Sequence, residues 1–335
     1  MNFDNNLIAG ARNAVSVCMG VQEDDKVLIF TDKKTEAIGN ALAQAVQEAA
    51  AELEIYYLED IDERPLNAVP QTLWNFLDNY RPTVTFYAAS SQEGEILFRI
   101  PLLETLREKY QVRHGHMIGI TPELMQTGML ADYNEVSKRS HQVYDLVKNA
   151  RSIKVTSPFG TNLTAQFDPD QLKWVNWDGL YHKQGIWGNL PEGEVFTSPV
   201  SVDGILSPVV LGDFFSHKYG LLDEPLMLEV ENSLLKSAIH KNEALVKDFM
   251  TYLSGYENGT RIGEFAIGTN EYLTEFVGNL LQDEKFPGVH VAFGNPYANY
   301  TGARWDCAVH VDVVMEKVSI WVDDFLIMKD GAFTI

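Results

Sequence analysis

The segment AVHVDVVM at residues 308–315 combines an apolar strand pattern with two side chains that can bind a metal ion. Successive side chains of a β-strand point to opposite faces, so His310 and Asp312 share one face and the valines between them share the other. An isolated buried charge is costly, so this pair must be hydrated, mutually paired or metal-bound. We therefore treat both residues as candidate ligands, the alternative being a strand with one face in solvent.

A second histidine, His290, lies twenty residues earlier in GVHVAFGNPY (288–297). Its short apolar strand stops at Gly294, and Gly-Asn-Pro then turns the chain so that Tyr297 can return towards the strand end. Taken alone, His290 fits a structural histidine in a core, and Tyr297 fits a tyrosine packed behind a proline turn.

Two glutamates also occupy apolar strand segments. Glu264 lies inside RIGEFAIGTN (261–270), and Glu194 directly precedes a Val-Phe pair in NLPEGEVFTSP (189–199). Neither position suits an unpaired carboxylate, although an edge strand with a solvated side chain is the alternative for each.

The five residues together form a recognisable ligand set. Imidazole with carboxylate suits zinc, manganese, cobalt or iron(II), and five protein ligands exceed what one catalytic ion needs if positions stay open for water and substrate. Two ions that share a carboxylate would use them all. The predicted metal ligands are Glu194, Glu264, His290, His310 and Asp312.

The first 150 residues alternate strand and helix patterns. Strand-like runs at 26–32, 54–59, 83–88 and 116–120 are separated by helical stretches, the first of them around residues 5–20. This alternation predicts an α/β domain, 1–150, with a mostly parallel sheet. No glycine-rich phosphate-binding motif follows the first strand, which argues against a nucleotide site.

From about residue 151 the pattern becomes strand-rich, with turns marked by Gly, Pro, Asn and Asp. Helical signals remain only near 242–254 and 271–282. We predict a β-rich α+β catalytic domain, 151–335, and place the boundary only on the change of periodicity.

The amino-acid composition excludes some classes of binding partner. The net charge of -21 arises from 47 acidic and 26 basic residues, so the surface repels phosphate backbones and anionic lipids, and neither nucleic acid nor a membrane is expected as a partner. The two cysteines form no metal or redox motif, and no secretory signal or long apolar run is evident. These features predict a cytoplasmic protein.

In the order GNLPEGEVFTSP, GEFAIGTN, HVAFGNPY and HVDVVM, the sequence resembles the aminopeptidase T family of two-metal exopeptidases. The ending DDFLIMKDGAFTI is similar too, and VCMGVQEDDKVLIFTD, LADYNEV and VTSPFGTNLTAQF extend a looser likeness over the N-terminal half. The same C-terminal framework also resembles the 2,5-dihydroxypyridine dioxygenases.

The first resemblance implies an aminopeptidase that acts on small peptides and forms a homodimer. It implies that the five ligands hold two divalent ions (Zn, Co or Mn) with Glu264 as the bridge, and that Glu192 is a weaker substitute for Glu194. The ions would activate a shared water, Glu264 or Glu194 would carry the proton to the leaving amine, and Tyr297 would donate to the developing oxyanion.

The second resemblance implies different chemistry. It implies that His290, His310 and Asp312 hold one iron(II) that serves ring cleavage, with the glutamates beside it. The chain is shorter than the best-characterised peptidases between Tyr297 and His310, a stretch that helps to form their substrate cleft. A non-enzymatic binding protein on the same scaffold is the third alternative.

His114 and His116, in VRHGHMIG, are spaced to share one face of a strand. They can line a cleft, or one of them can serve as a core or capping residue.

Overall fold

The computed structural model describes residues 5–212 and 214–335. It divides into two compact units, the first formed by Met1–Asn134 with Gly179–Glu192 and the second by Glu135–Asp178 with Gly193–Ile335. This division differs from the single boundary predicted at residue 150. Helix α6 (Tyr133–Val147) places Val143 and Val147 in the core of the second unit, and a later segment returns to the first.

The first unit is built on a five-stranded sheet in the order β2-β1-β3-β4-β8, and every neighbouring pair is parallel. The predicted α/β class with a parallel sheet is confirmed. The strands are β1 (Lys26–Thr31), β2 (Glu52–Tyr57), β3 (Val84–Ala88), β4 (Arg113–His116) and β8 (Trp187–Asn189).

Helices connect these strands in the expected alternation: α1 (Asn5–Arg12), α2 (Glu36–Glu48), α3 (Gln71–Tyr80), α4 (Ile96–Glu108) and α5 (Pro122–Gln126). The helix expected over 5–20 is α1 followed by a π-helical stretch, Asn13–Cys18. The strand predicted at 116–120 is misplaced, since β4 ends at His116. Met117 and Ile120, two of the apolar residues that suggested it, are buried in the turn that follows the strand.

A buried ion network fills the carboxyl ends of β1 and β3. Asp32 and Glu95 both pair with Arg64, whose Nε donates to Glu95 Oε1 at 2.6 Å. The backbone amides of Thr35 and Ser90 donate to Asp32, each at 2.8 Å. The gap between β1 and β3 is the topological switch point of the sheet, and open α/β sheets often bind ligands there. In this protein the side chains of Asp32, Arg64 and Glu95 occupy that place.

The second unit contains two antiparallel sheets. One has eight strands in the order β13-β12-β10-β6-β5-β17-β18-β19, and the other has six in the order β11-β16-β15-β14-β9-β7. The strands are β5 (Ser152–Thr156), β6 (Asn162–Gln166), β7 (Val175–Trp177), β9 (Glu194–Thr197), β10 (Ser201–Leu206), β11 (Pro208–Leu211), β12 (Met227–Glu231), β13 (Leu234–Ile239), β14 (Ile262–Gly268), β15 (Gly288–Gly294), β16 (His310–Met315), β17 (Ser319–Val322), β18 (Phe325–Lys329) and β19 (Ala332–Phe333).

One hydrophobic core takes side chains from both sheets of this unit and from α8 (Glu243–Ser254). The remaining helices are short: α7 (Phe214–Tyr219), α9 (Leu280–Asp283) and α10 (Ala298–Thr301). The helix predicted near 242–254 is present. The one predicted near 271–282 is wrong except for α9, because Gly278 adopts a φ of 75° and the Asp283 carboxylate accepts the amides of Val277 and Gly278.

In the part of the chain that the structure covers, residues 5–212 and 214–335, every helix is too short or too polar to cross a membrane.

Candidate metal centre

Strands β15 and β16 present their histidines and carboxylate on the sheet face that points away from the core. Val289, Val291 and Phe293 of β15, with Val311 and Val313 of β16, enter the core of the second unit. Because side chains alternate, His290, His310 and Asp312 project from the opposite face. The strand pattern that suggested these ligands therefore also sets their direction.

Small residues between the ligands leave room for them to converge. In the sheet register Ala292 lies between Glu264 on β14 and Asp312 on β16. Glu194 on β9 lies directly opposite Gly268. A methyl group or a hydrogen at these positions keeps the space above the sheet open to the longer side chains.

The ligand atoms of the five predicted residues lie close together. His290 Nε2 lies 3.3 Å from Glu194 Oε2, 3.4 Å from Glu264 Oε1 and 4.0 Å from Asp312 Oδ1. His310 Nε2 lies 3.4 Å from the same Asp312 oxygen and 3.8 Å from Glu264 Oε2. Four of the five are buried, and only the His310 side chain is partly exposed, at 18%.

Three overlapping groups have atoms close enough to share an ion: Glu194 with Glu264 and His290; Glu264 with His310 and Asp312; and Glu284 with His290 and Asp312. The first two groups share Glu264, and Asp312 approaches both imidazoles. This arrangement offers more than one ion position.

The donor atoms are in a state that suits a metal ion. Asn295 O can only accept a hydrogen bond, so His310 Nδ1, 2.8 Å away, must carry a proton, and once the imidazole is neutral its lone pair is on Nε2. Glu264 Oε2 is buried, and no described residue lies within hydrogen-bonding reach of it. Buried carboxylate oxygens are seldom left so, and an ion between Glu264 and the histidines would satisfy this one.

Charges in the cluster are strongly coupled. Burial raises the pKa of Glu264, while the nearby Glu194 and Asp312 carboxylates raise it further. Burial alone would lower the pKa of His310, but Asp312 and Glu264 raise it to about 10. Metal binding must displace such protons, so the affinity for the ion will increase with pH.

Two further residues complete the cluster. Lys285 is fully buried, and its ammonium lies 2.9 Å from Glu194 Oε1 and 2.8 Å from Glu284 Oε1. Burial raises the pKa of Glu284 to about 7 despite this neighbour. Sequence reasoning missed both residues because a Glu-Lys pair after a short helix has the pattern of a solvated turn.

Tyr297 lies beside the exposed end of the cluster. Its backbone has a φ of 49°, and its ring centre is 4.5 Å from that of His310. Burial raises the pKa of Tyr297 well above 10, and the Glu264 and Asp312 carboxylates raise it further. The hydroxyl thus keeps its proton at neutral pH and can serve as a donor.

Glu192 does not join this cluster. Its carboxylate accepts a hydrogen bond from the Tyr181 hydroxyl at 3.1 Å, and both residues belong to the first unit. Glu194, two residues later, is the glutamate that faces His290.

His114 and His116 form a buried hydrogen-bonded chain in the first unit. Arg99 can only donate, so His116 Nε2, 2.9 Å away, must accept, and His116 Nδ1 then donates to His114 Nε2 at 3.2 Å. His114 Nδ1 in turn donates to Thr85 Oγ1 at 2.7 Å. Burial lowers the pKa of His114 to about 3. Both histidines are neutral core residues here.

Two solved structures of known proteins have a fold similar to that of this chain. Among solved structures, the 2,5-dihydroxypyridine dioxygenase from Pseudomonas putida KT2440 is similar, with a TM-score of 0.72 and 19% identity over 98% of this chain and 96% of that chain. Wild-type AmpT from Thermus thermophilus has a TM-score of 0.71 and 16% identity over 99% of this chain and 100% of that chain. At these identities the likeness shows a shared fold, and the resemblance to both groups is confirmed.

A search of curated proteins gives no significant match. A family model described as NicX, 2,5-dihydroxypyridine 5,6-dioxygenase, matches residues 6–258. The match includes Glu194 and ends before β14, so the other four predicted ligands lie beyond it. Because it spans more than half of the sequence, the chain belongs to the 2,5-dihydroxypyridine 5,6-dioxygenase family.

Proposed function

We propose that this chain is an iron(II)-dependent dioxygenase that opens a hydroxylated pyridine or a similar flat ring. His290, His310 and Asp312 would hold the ion, since two histidines and one carboxylate are the usual ligand set of non-haem iron oxygenases. The family match supports this reading over hydrolysis. Asp312 Oδ1 lies within 4.0 Å of both imidazole Nε2 atoms, which is compatible with one shared ion.

The observation that carries the proposal is a group of aromatic rings beside the His310 end of the cluster. The Tyr297 ring centre lies 5.9 Å from that of Phe196 and 6.3 Å from that of Trp177. Trp177 also meets Tyr300 at 5.8 Å. Rings at such spacings contact one another edge to face or obliquely, and a flat substrate ring could pack in the same way against the partly exposed Tyr297 and Tyr300.

The side chains divide the remaining work. When bound, iron(II) supplies the redox chemistry with dioxygen. The hydrogen bond from His310 Nδ1 to Asn295 O keeps this imidazole in the tautomer that binds through Nε2. The protonated Tyr297 hydroxyl can donate to a ring oxygen of the substrate, and the aromatic rings limit access of water.

Oxygen uptake tests the proposal directly. Protein reconstituted anaerobically with Fe²⁺ should consume one dioxygen per 2,5-dihydroxypyridine without added reductant, because the ring bond that breaks supplies the electrons and both oxygen atoms enter the product. An oxygen electrode and product mass measure this. Hydrolysis of leucine amides by Zn²⁺-, Co²⁺- or Mn²⁺-loaded protein, without oxygen uptake, would contradict it.

A second candidate, a two-metal aminopeptidase acting on small peptides, has one observation in its favour. Glu264 belongs to two of the candidate ion groups at once, as a bridging carboxylate would. In that case two ions would lower the pKa of a shared water, and Glu264 would move its proton. The same oxygen and amide assays separate the two candidates.

Tyr297→Phe should lower kcat about 10²-fold and leave the metal content unchanged, because it removes one hydrogen-bond donor without removing a ligand. Steady-state kinetics with metal analysis measures both quantities. Tyr256→Phe, at a tyrosine 40% exposed on the surface, is the matched control. Loss of metal in Tyr297→Phe would show that Tyr297 has a structural role instead.

A further inference from the structure

Lys285 is held in the cluster by the backbone around it. An added Cβ at Gly268 would lie 2.0 Å from Phe286 O and 2.9 Å from Glu284 O, so residues 284–286 press directly against β14 at this glycine. The Asn270 amide donates to Lys285 O at 3.0 Å. Since Gly268 is also the strand partner of Glu194, this packing places Lys285 beside that glutamate.

The Lys285 ammonium lies where a metal ion would otherwise bind between two carboxylates. It lies within 2.9 Å of one oxygen from each of Glu194 and Glu284, and its side chain is 0% exposed. The other Glu194 oxygen faces His290 at 3.3 Å. A divalent ion binds carboxylate oxygens at about 2.0–2.2 Å. An ion bound to both Glu194 and Glu284 would therefore lie very close to the Lys285 ammonium, which contacts the same two carboxylates. Repulsion between the two cations would be large in this buried environment.

We infer that the Lys285 ammonium replaces a second divalent cation at the Glu194 end of the cluster. The centre then holds a single ion at His290, His310 and Asp312, and removal of the ammonium opens a latent second site formed by Glu194 and Glu284. This inference deepens the proposed function, on which it rests for the chemistry of the single ion. It concerns stoichiometry, so it can fail while the proposed activity stands.

Metal titration tests the inference on the full chain. Mn²⁺ is the probe, with bound metal measured by elemental analysis and the spectrum by electron paramagnetic resonance. We expect one Mn²⁺ per wild-type chain with an uncoupled signal, and two per Lys285→Met chain with an exchange-coupled signal. Lys247→Met, which removes an exposed lysine of α8, should remain at one.

Removal of one partner from a buried ion pair destabilises a protein, so Lys285→Met can fail to fold. Lys285→Gln also removes the positive charge, but it keeps a buried hydrogen-bond donor for the two carboxylates and leaves both of them in place, so it then decides by the same criterion. Two ions in the wild-type chain, or one ion in the folded variants, would overturn the inference. Oxygen uptake by wild-type protein, measured separately, reports on the proposed function alone.

Discussion

Asp312→Asn should abolish metal binding and lower kcat more than about 100-fold. Loss of a residue that only hydrogen-bonds to a metal ligand already lowers metal affinity by about 10–100-fold, and loss of a ligand itself should cost more. Asp312 Oδ1 is the atom that both histidines approach, at 4.0 and 3.4 Å. Asparagine keeps the shape and removes the charge. The remaining acceptor, a neutral amide oxygen, binds a divalent ion weakly.

Thermal unfolding separates this loss from misfolding. Burial would raise the pKa of Asp312, but His310, His290 and Lys285 lower it below its usual value, so neutralisation should also destabilise the metal-free protein, and each protein is therefore compared with its own metal-free form. Metal at about 100 times Kd should stabilise the wild type by about 2.7 kcal/mol and the variant by nothing. Asp306→Asn, at an exposed position before β16, should behave as the wild type does. An unchanged metal response in Asp312→Asn would remove this residue from the ligand set.

Asp32→Asn should destabilise the first unit by about 3 kcal/mol, the cost expected when one partner of a buried ion pair is removed. The variant leaves Arg64, whose side chain is 5% exposed, with Glu95 as its remaining carboxylate partner in the network. Urea unfolding followed by circular dichroism measures the change. The control is Asp24→Asn, which changes an exposed aspartate just before the start of β1. A loss below 1 kcal/mol would mean that the network contributes little to stability.

The same carboxylate predicts a pH dependence. Burial would raise the pKa of Asp32, but hydrogen bonds from Ser90 and Thr35 outweigh it and lower the pKa from 3.8 to about 2. A depressed folded-state pKa stabilises the protein above the unfolded-state value. The contribution is complete above about pH 4 and is lost as pH falls towards 2. In Asp32→Asn, this part of the acid transition should be absent.

Periodicity predicted most of the strands because burial of alternate residues leaves a direct trace in the sequence. Strand β16 shows this well, since its predicted ligands alternate with core valines from His310 to Val313. The helix predicted over 271–282 shows the limit. Its apolar spacing is helical, yet the Asp283 carboxylate binds two backbone amides ahead of it and keeps the chain in a turn. Local spacing does not report such capping contacts.

The candidate site divides in the same way. The five predicted ligands could be found as polar residues in apolar strands, and the structure brings their side-chain oxygen and nitrogen atoms together. Lys285 and Glu284 could not, because their burial depends on the fit of residues 284–286 against Gly268. The Asp32–Arg64–Glu95 network was missed because its members are separated by 32 and 31 residues.

Strand β8 has a consequence for the synthesis of the protein. It joins the edge of the first unit's sheet, where His114 pairs with Trp187, yet it is made after α6 and β5–β7 of the second unit. A nascent chain therefore carries β4 with an unpaired edge until residue 189 has left the ribosome. A fragment ending at residue 134 would keep that edge for good, and open parallel edges recruit other chains. Attempts to produce the first unit alone should supply residues 179–192, for example by a short linker that replaces the intervening segment.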